Sequence, residues 1–179
     1  LNGAKEIGNN VMLTTCLNNI GELYKELKEY KKASQYYKES EEIAKNLEDK
    51  NIICILYLNQ GEIKYFLEEY DAAIEYINKS KKIMYQLENN HAEGELYHYL
   101  GLCYYKLNDY EKSAESFLLG IKKTESMKNK MYEIDLLVDF VEFLNNRGME
   151  SKCEKWLIKA LNISKDIKNY KKTENFSTN

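Results

Sequence analysis

A set of residues recurs every 40 positions along this chain, and this period constrains the fold more than any other feature of the sequence. Gly21, Gly61 and Gly101 follow one another at this interval, and a tyrosine lies nine positions after each of them. A fixed period of about 20 to 50 residues indicates stacked supersecondary units. The later positions keep the same register: Ala33, Ala73 and Ser113, then Tyr37, Ile77 and Phe117, then Ser40, Ser80 and Gly120.

Each repeat carries two helical patterns separated by a short polar break. In the first repeat, Leu13, Leu17, Ile20 and Leu27 follow one another at spacings of three, four or seven positions, which places them on one helical face. The break near Glu29 leads into a second apolar pattern, and two helices joined in this way form an antiparallel hairpin. The predicted helices span residues 11–27, 31–47, 51–67, 71–87, 91–107, 111–127, 131–147 and 150–167.

The sequence therefore predicts an all-α fold, an α-α superhelix or solenoid of about four helical hairpins. The predicted repeats are residues 11–50, 51–90, 91–130 and 131–168. The last repeat departs from the pattern, since Val141 stands where the other repeats have glycine. Cys153, Leu157 and Ala160 keep the order of small, large and small residues. A degenerate repeat of this kind is expected at the end of an array, where it has a neighbour on one side only.

Two terminal segments lie outside these repeats. Ile7 precedes Leu47 by one full repeat period, so residues 1–10 are predicted to end the second helix of a preceding repeat, and the array is expected to extend upstream. Residues 169–179 form a polar tail that is expected to fray.

The recurring glycine lies in the middle of a predicted helix. Glycine in a helix interior costs about 1 kcal/mol relative to alanine. We expect Gly21 to be compensated by close approach of the neighbouring helix, which a Cβ atom would obstruct.

Charge and composition argue against several classes of function. The net charge of −3 offers no clustered basic surface for nucleic acid, and no run of about 18 apolar residues is present to cross a membrane. The four cysteines fall at unrelated repeat positions and form no paired motif, as expected for free thiols in a reducing cytoplasm. We therefore expect a cytoplasmic protein that contacts neither nucleic acid nor membrane directly.

No catalytic or cofactor-binding motif is recognisable in the sequence. The two histidines, His91 and His98, are seven positions apart and too distant along a helix to bind one metal ion together. No glycine-rich phosphate loop and no nucleophile arrangement of serine or cysteine with histidine is visible. The chain is expected to be non-enzymatic and to require no metal or cofactor.

Two repeats share an ordered set of residues. The sets are Leu17, Ile20, Gly21, Tyr24, Ala33, Tyr37 and Ser40, and Tyr97, Leu100, Gly101, Tyr104, Ser113, Phe117 and Gly120. This order resembles the tetratricopeptide repeat, whose usual length is about 34 residues. The second repeat departs from it at Gln60 and Lys64, and no repeat ends in proline.

The resemblance implies a protein or peptide binding module whose partner lies in a concave groove lined by the first helices. Long repeats of this kind are similar to the C-terminal sensor domains of peptide-pheromone-responsive transcriptional regulators of bacteria. Two alternatives stay open. One is a structural scaffold or oligomerisation module, and the other is the regulatory part of a protein similar to the phosphatases of response regulators.

The resemblance places polar and aromatic side chains in that groove. Asn18, Asn19 and Asn59 can donate and accept hydrogen bonds together, which suits a peptide backbone of any sequence. Glu22 and Glu62 share one repeated inward position and would favour a cationic ligand. The alternative interpretation of both sets is an ordinary solvated helix face. The remaining predicted groove residues are Lys25, Tyr65, His98, Tyr99 and Tyr105.

The last predicted helix carries a broad apolar face at the end of the array. Trp156, Leu157 and Leu161 lie on this face. They are expected either to close the core against the preceding helix or to dock another structure, which is a second subunit in a homodimer or an upstream domain.

Overall fold

A computed structural model describes the backbone of residues 2–88, 91–125 and 130–177 and the side chains of residues 8–88, 91–125 and 130–168. These ranges contain eight helices and no strand, which confirms the predicted all-α class. The predicted boundary at residue 90, the predicted helix end at Met127, and the side chains of Ile7 and of residues 169–179 lie outside them. The helices are α1 Asn2–Glu26, α2 Tyr30–Asn46, α3 Lys50–Phe66, α4 Tyr70–Gln86, α5 Glu93–Lys106, α6 Tyr110–Thr124, α7 Lys130–Asn146 and α8 Glu150–Ser177.

The helices pack as antiparallel pairs in two compact units. The first unit, Leu1–Ala92, contains the hairpins α1/α2 and α3/α4, and the second, Glu93–Asn179, contains α5/α6 and α7/α8. Within the first unit α2 also packs against α3, and α1 touches α3. Within the second unit α6 packs against α7 and α5 touches α7 in the same way. Each unit therefore holds two stacked hairpins.

Most of the described helices are followed, two residues after their last residue, by a residue in the left-handed backbone conformation. Lys28 has φ +59°, and its amide donates to Lys25 O while the amide of Glu29 donates to Tyr24 O over 2.8 Å. This pair of bonds is a Schellman motif, which satisfies the last carbonyls of α1. The same left-handed conformation follows α2, α3, α4, α5 and α7, at Glu48, Glu68, Glu88, Asn108 and Gly148.

The recurring glycines allow the two helices of a hairpin to approach closely, as predicted. A Cβ atom on Gly21 would overlap the ring of Tyr37 on α2, and one on Gly101 would lie 3.1 Å from the ring of Phe117 on α6. Tyr37 and Phe117 are both fully buried. The glycine of the first helix thus provides the space that the large residue of the second helix fills.

The fourth hairpin packs differently from the prediction at one position. Leu157 stands at the register position of Tyr37 and Phe117, but it is 50% exposed. Val141 stands where the first three repeats have glycine, and a valine side chain does not leave the space that glycine provides. Trp156, next to Leu157, is half-buried and packs against the core, with its ring edge-on to Phe140 at 5.4 Å between centroids. Cys153 and Ala160 are buried as expected.

The ends of the chain also differ from the prediction. The backbone of α1 is helical without a break from Asn2, so residues 3–10 continue the first helix and do not form the end of a separate one. At the other end, α8 continues to Ser177 and does not stop near Ile167.

Buried polar pairs join neighbouring helices and explain the departure at Gln60. Gln60 is fully buried, accepts from Ser34 Oγ over 2.9 Å and donates to Ser34 O over 3.0 Å. Ser80 donates in a similar manner to Cys54 O over 2.8 Å. A buried polar side chain is tolerated when its hydrogen bonds are satisfied, so Gln60 fits where the family usually has an apolar residue.

Candidate functional site

Two asparagines on the first helices of the first unit are in direct contact. Asn59 on α3 donates from Nδ2 to Asn18 Oδ1 on α1 over 3.0 Å and to Glu22 Oε1 over 2.9 Å. An ionised carboxylate only accepts hydrogen bonds, so its position identifies the Asn59 atom beside it as Nδ2. This in turn identifies the Asn18 atom as Oδ1. We call Asn18 and Asn59 the asparagine pair.

The asparagine pair has one donor group and one acceptor that the contacts between these side chains do not use. Within the described residues, nothing accepts from Asn18 Nδ2 and nothing donates to Asn59 Oδ1. No buried side-chain nitrogen or oxygen in the same ranges lacks a partner, so both atoms reach solvent although Asn59 is only 8% exposed. A donor beside an acceptor matches the carbonyl and amide of an extended peptide backbone.

Lys25 neutralises part of the negative charge predicted for this face. Its Nζ lies 2.7 Å from Glu22 Oε2 and 2.8 Å from Glu62 Oε2. Burial alone would lower the pKa of Lys25, but the nearby Glu62 and Glu22 carboxylates outweigh burial and raise this pKa above its ordinary value. Tyr37 Oη also donates to Glu22 Oε1 over 2.5 Å. Glu22 and Glu62 therefore belong to a network with a shared lysine, and the preference for a cationic ligand is weaker than the sequence suggested.

The other two predicted groove residues of this unit have different surroundings. Asn19 is exposed on α1. Tyr65 is half-buried and lies against Tyr70 with 5.9 Å between ring centroids. Asn19 adds an accessible amide one residue after Asn18, while Tyr65 contributes to aromatic packing.

The second unit has a different polar contact between its first helices. His98 on α5 is 5% exposed, with Nε2 lying 2.7 Å from Asp139 Oδ2 and Nδ1 lying 2.7 Å from Tyr132 Oη, both on α7. Both ring nitrogens are thereby engaged within the protein. His98 thus joins α5 to α7 through both of its polar atoms.

The predicted aromatic groove residues of the second unit lie beside this contact. Tyr99 stacks near His98 with 5.6 Å between centroids. Tyr105 packs edge-on to Phe143 of α7 at 5.5 Å. Both tyrosines are half-buried, so their rings contribute to packing and also line the surface.

The residues predicted as an oligomer interface separate into two environments. Trp156 is half-buried against Phe140. Leu157 and Leu161 are 50% and 53% exposed, and Ile158 beside them is 50% exposed. The exposed apolar stripe of α8 therefore consists of Leu157, Ile158 and Leu161, and the sequence analysis did not identify Ile158.

Metal and thiol chemistry receive no support from the described residues. Within the ranges that the structure covers, no group of three or more His, Cys, Asp or Glu side chains could hold a metal ion. All four cysteines are free thiols, and burial raises the pKa of Cys103 to about 12. None of the described helices combines the length and the apolar character needed to cross a membrane.

Comparison with known proteins identifies the repeat. The stacked hairpins define a helical-repeat protein. Sequence profiles described as tetratricopeptide repeat match residues 52–121 and residues 14–47. The chain therefore contains tetratricopeptide repeats, which are generally protein-interaction modules. No curated protein matches this chain significantly.

Solved structures share the helical solenoid fold at low sequence identity. BtubC (BKLC) from P. vanneervenii is 15% identical with a TM-score of 0.74 over 89% of this chain. A signal transduction ATPase with numerous domains and a tetratricopeptide repeat sensor from Pyrococcus horikoshii is 20% identical with a TM-score of 0.72 over 91% of this chain. A Rap protein complexed with competence and sporulation factor is 21% identical with a TM-score of 0.57 over 87% of this chain.

This chain spans only part of each of those proteins. It covers 66% of BtubC, 25% of the ATPase and 53% of the Rap protein. At these identities the likeness concerns the fold, and it carries no residue roles from one protein to another.

Proposed function

We propose that this chain is a non-catalytic module that binds an extended peptide or protein segment along the face formed by α1 and α3. The observation that carries the proposal is the asparagine pair, which offers Asn18 Nδ2 as a donor and Asn59 Oδ1 as an acceptor. Glu22 supports the pair by accepting from Asn59, which holds the amide in one orientation. A backbone-directed contact of this kind provides affinity, while neighbouring side chains select the sequence.

We further propose that the module is the sensor part of a bacterial cytoplasmic regulator that responds to a signalling peptide. Two of the similar structures support this: one contains a tetratricopeptide repeat sensor, and the other is a Rap protein in complex with competence and sporulation factor. In such an arrangement the peptide would shift the balance between two conformations of the whole protein by binding one of them more tightly.

The test uses a pool of random synthetic peptides of about seven residues, long enough to follow two stacked hairpins. Peptides captured by the purified chain are sequenced, and the tightest is measured by calorimetry. Asn18→Asp removes the donor but keeps an oxygen for Asn59, so the fold survives and affinity falls by about tenfold. Asn78→Asp, an equal charge change at an exposed position on α4, leaves affinity unchanged. Equal affinity of wild type and Asn18→Asp would contradict the proposal.

A second candidate function, an oligomerisation module, is supported by the exposed stripe Leu157, Ile158 and Leu161 on α8. An apolar stripe of this kind is suited to burial against a second copy in a homodimer. Sedimentation velocity should then show a dimer that Leu161→Asp converts to monomer. Leu119→Asp, a matched change at a 41% exposed leucine of α6, should leave the dimer intact. A wild-type monomer at all concentrations would rule this function out.

A further inference from the structure

A cleft of about 710 Å³ lies in the second unit. Its walls come from α6 and α8 and its floor from α7. Phe140 and Phe143 of α7 are buried at the floor, while Leu118 of α6 and Trp156 of α8 present accessible apolar surface on the walls. The cleft is thus an apolar groove of the size and character of a binding site.

Three cations surround this apolar surface. Arg147, Lys152 and Lys155 line the cleft, and Glu111 is the one acidic residue among its lining. The rim therefore carries a formal charge of +2, on a chain whose net charge is −3. The cleft is therefore positively charged, although the protein as a whole carries a negative net charge.

None of the three cations forms an ion pair within the described residues. Lysines elsewhere do, including Lys25 with Glu62, and Lys159 of the same helix α8 with Glu125. Arg147 instead lies 3.8 Å from the ring centre of Tyr110, and Lys155 lies 4.4 Å from that of Trp156. A cation stacked on a ring still has its hydrogen-bond donors available for a carboxylate.

We infer that this cleft docks an acidic amphipathic segment of a partner protein, whose apolar side chains contact Leu118 and Trp156 and whose carboxylates pair with Arg147, Lys152 and Lys155. The apolar floor provides an anchor site, and the unpaired cations favour a partner segment of negative charge. The lining comes from α6, α7 and α8 of the second unit and includes none of the residues predicted for the groove, so the inference extends beyond peptide binding at the asparagine pair.

Trp156 is the single tryptophan of the chain and lies in the cleft, so its emission reports occupancy directly. The probe is an acetylated, amidated peptide of about 12 residues, with Glu and Asp alternating with Leu and Phe at helical spacing and no Trp. A second probe has Lys at every acidic position. The acidic probe should shift Trp156 emission saturably, and the basic probe should bind at least about tenfold more weakly.

Charge reversal and a matched control separate this inference from non-specific binding. Lys152→Glu should weaken the acidic probe by about tenfold or more, because it replaces an attractive contact with a repulsive one. Lys165→Glu, the same change at an exposed position further along α8, should weaken it by less than about threefold. Circular dichroism of both variants should match the wild type.

Three outcomes would overturn the inference. Equal binding of the acidic and basic probes would show that charge does not select the partner. An unchanged Trp156 emission up to about 1 mM probe would show that the cleft is not a docking site. Concentration-dependent Trp156 emission of the protein alone, together with a dimer in sedimentation, would assign the cleft to a second copy of this chain.

Discussion

His98 on α5 contacts Asp139 on α7, 41 residues further along the chain, with 2.7 Å between Nε2 and Oδ2. The asparagine pair of the first unit has the same separation of 41 residues, and each of its members precedes its counterpart by two repeat periods. The same two register positions therefore join the first helices in both units. In the first unit Asn18 Nδ2 and Asn59 Oδ1 make no hydrogen bond within the described residues, whereas both His98 nitrogens are engaged within the second unit.

His98→Ala is expected to destabilise the protein by about 1–3 kcal/mol, because it leaves Tyr132 and Asp139 without their shared partner in a largely buried site. Urea denaturation followed by circular dichroism measures the change. Asn162→Ala, at an exposed position of α8, should cost less than about 0.5 kcal/mol. Equal losses for the two variants would show that the contact of His98 with α7 contributes nothing specific.

Gly21→Ala is expected to cost about 1–3 kcal/mol, because its Cβ would overlap the fully buried ring of Tyr37. Gly8→Ala in the same helix is the control, since a Cβ there meets nothing within 4 Å. Alanine favours the helix, so Gly8→Ala should stabilise it by about 0.5–1 kcal/mol. Thermal and urea unfolding of both variants should therefore give shifts of opposite sign, and a stabilising Gly21→Ala would contradict this packing.

Gly148→Ala is expected to cost about 1 kcal/mol for a backbone reason alone. Gly148 has φ +67°, a conformation that strains alanine, although a Cβ there would meet no neighbouring atom. Urea denaturation measures the loss. Gly148→Asn should cost less than Gly148→Ala, because asparagine tolerates this conformation better, and the reverse order would contradict the assignment.

Lys25→Met should destabilise the protein near pH 7 by about 1–2 kcal/mol, after allowance for solvent screening of a partly exposed lysine. The folded protein raises the pKa of Lys25 above 10.5, so its stabilising contribution is complete below that pH and is lost as the pH rises through the raised pKa. Tyrosine ionisation affects both proteins alike. The difference in unfolding free energy should be constant between about pH 7 and pH 9 and shrink above about pH 10.5; a difference that grows there would contradict the charge pairing.

The hairpins could be predicted from the sequence because the residues that recur with the 40-residue period each have one structural role. Gly21 leaves the space that the ring of Tyr37 fills. The turn at Lys28 follows from the fixed interval between the two helical patterns. The fourth hairpin was the exception. The register gives Leu157 the position of Tyr37 and Phe117, but Val141 replaces the glycine there and Leu157 is half exposed. Its neighbour Trp156 packs against Phe140.

The candidate site was predicted as a set of positions but not as a set of contacts. The 41-residue spacing of Asn18 and Asn59 was present in the sequence and could have identified them as a pair. The sharing of Lys25 by Glu22 and Glu62 depends on side-chain conformations that periodicity does not fix. The cleft lined by Arg147, Lys152 and Lys155 is formed by residues of three helices, so no single segment of the sequence identifies it.

The most direct test of peptide binding at the asparagine pair follows the side-chain amides by nitrogen-15 NMR while the selected peptide is titrated into the labelled protein. The Nδ2 resonances of Asn18 and Asn59 should shift along one binding curve that agrees with calorimetry, while that of the exposed Asn78 stays in place. A peptide that binds by calorimetry but leaves both amides unshifted would contradict the account.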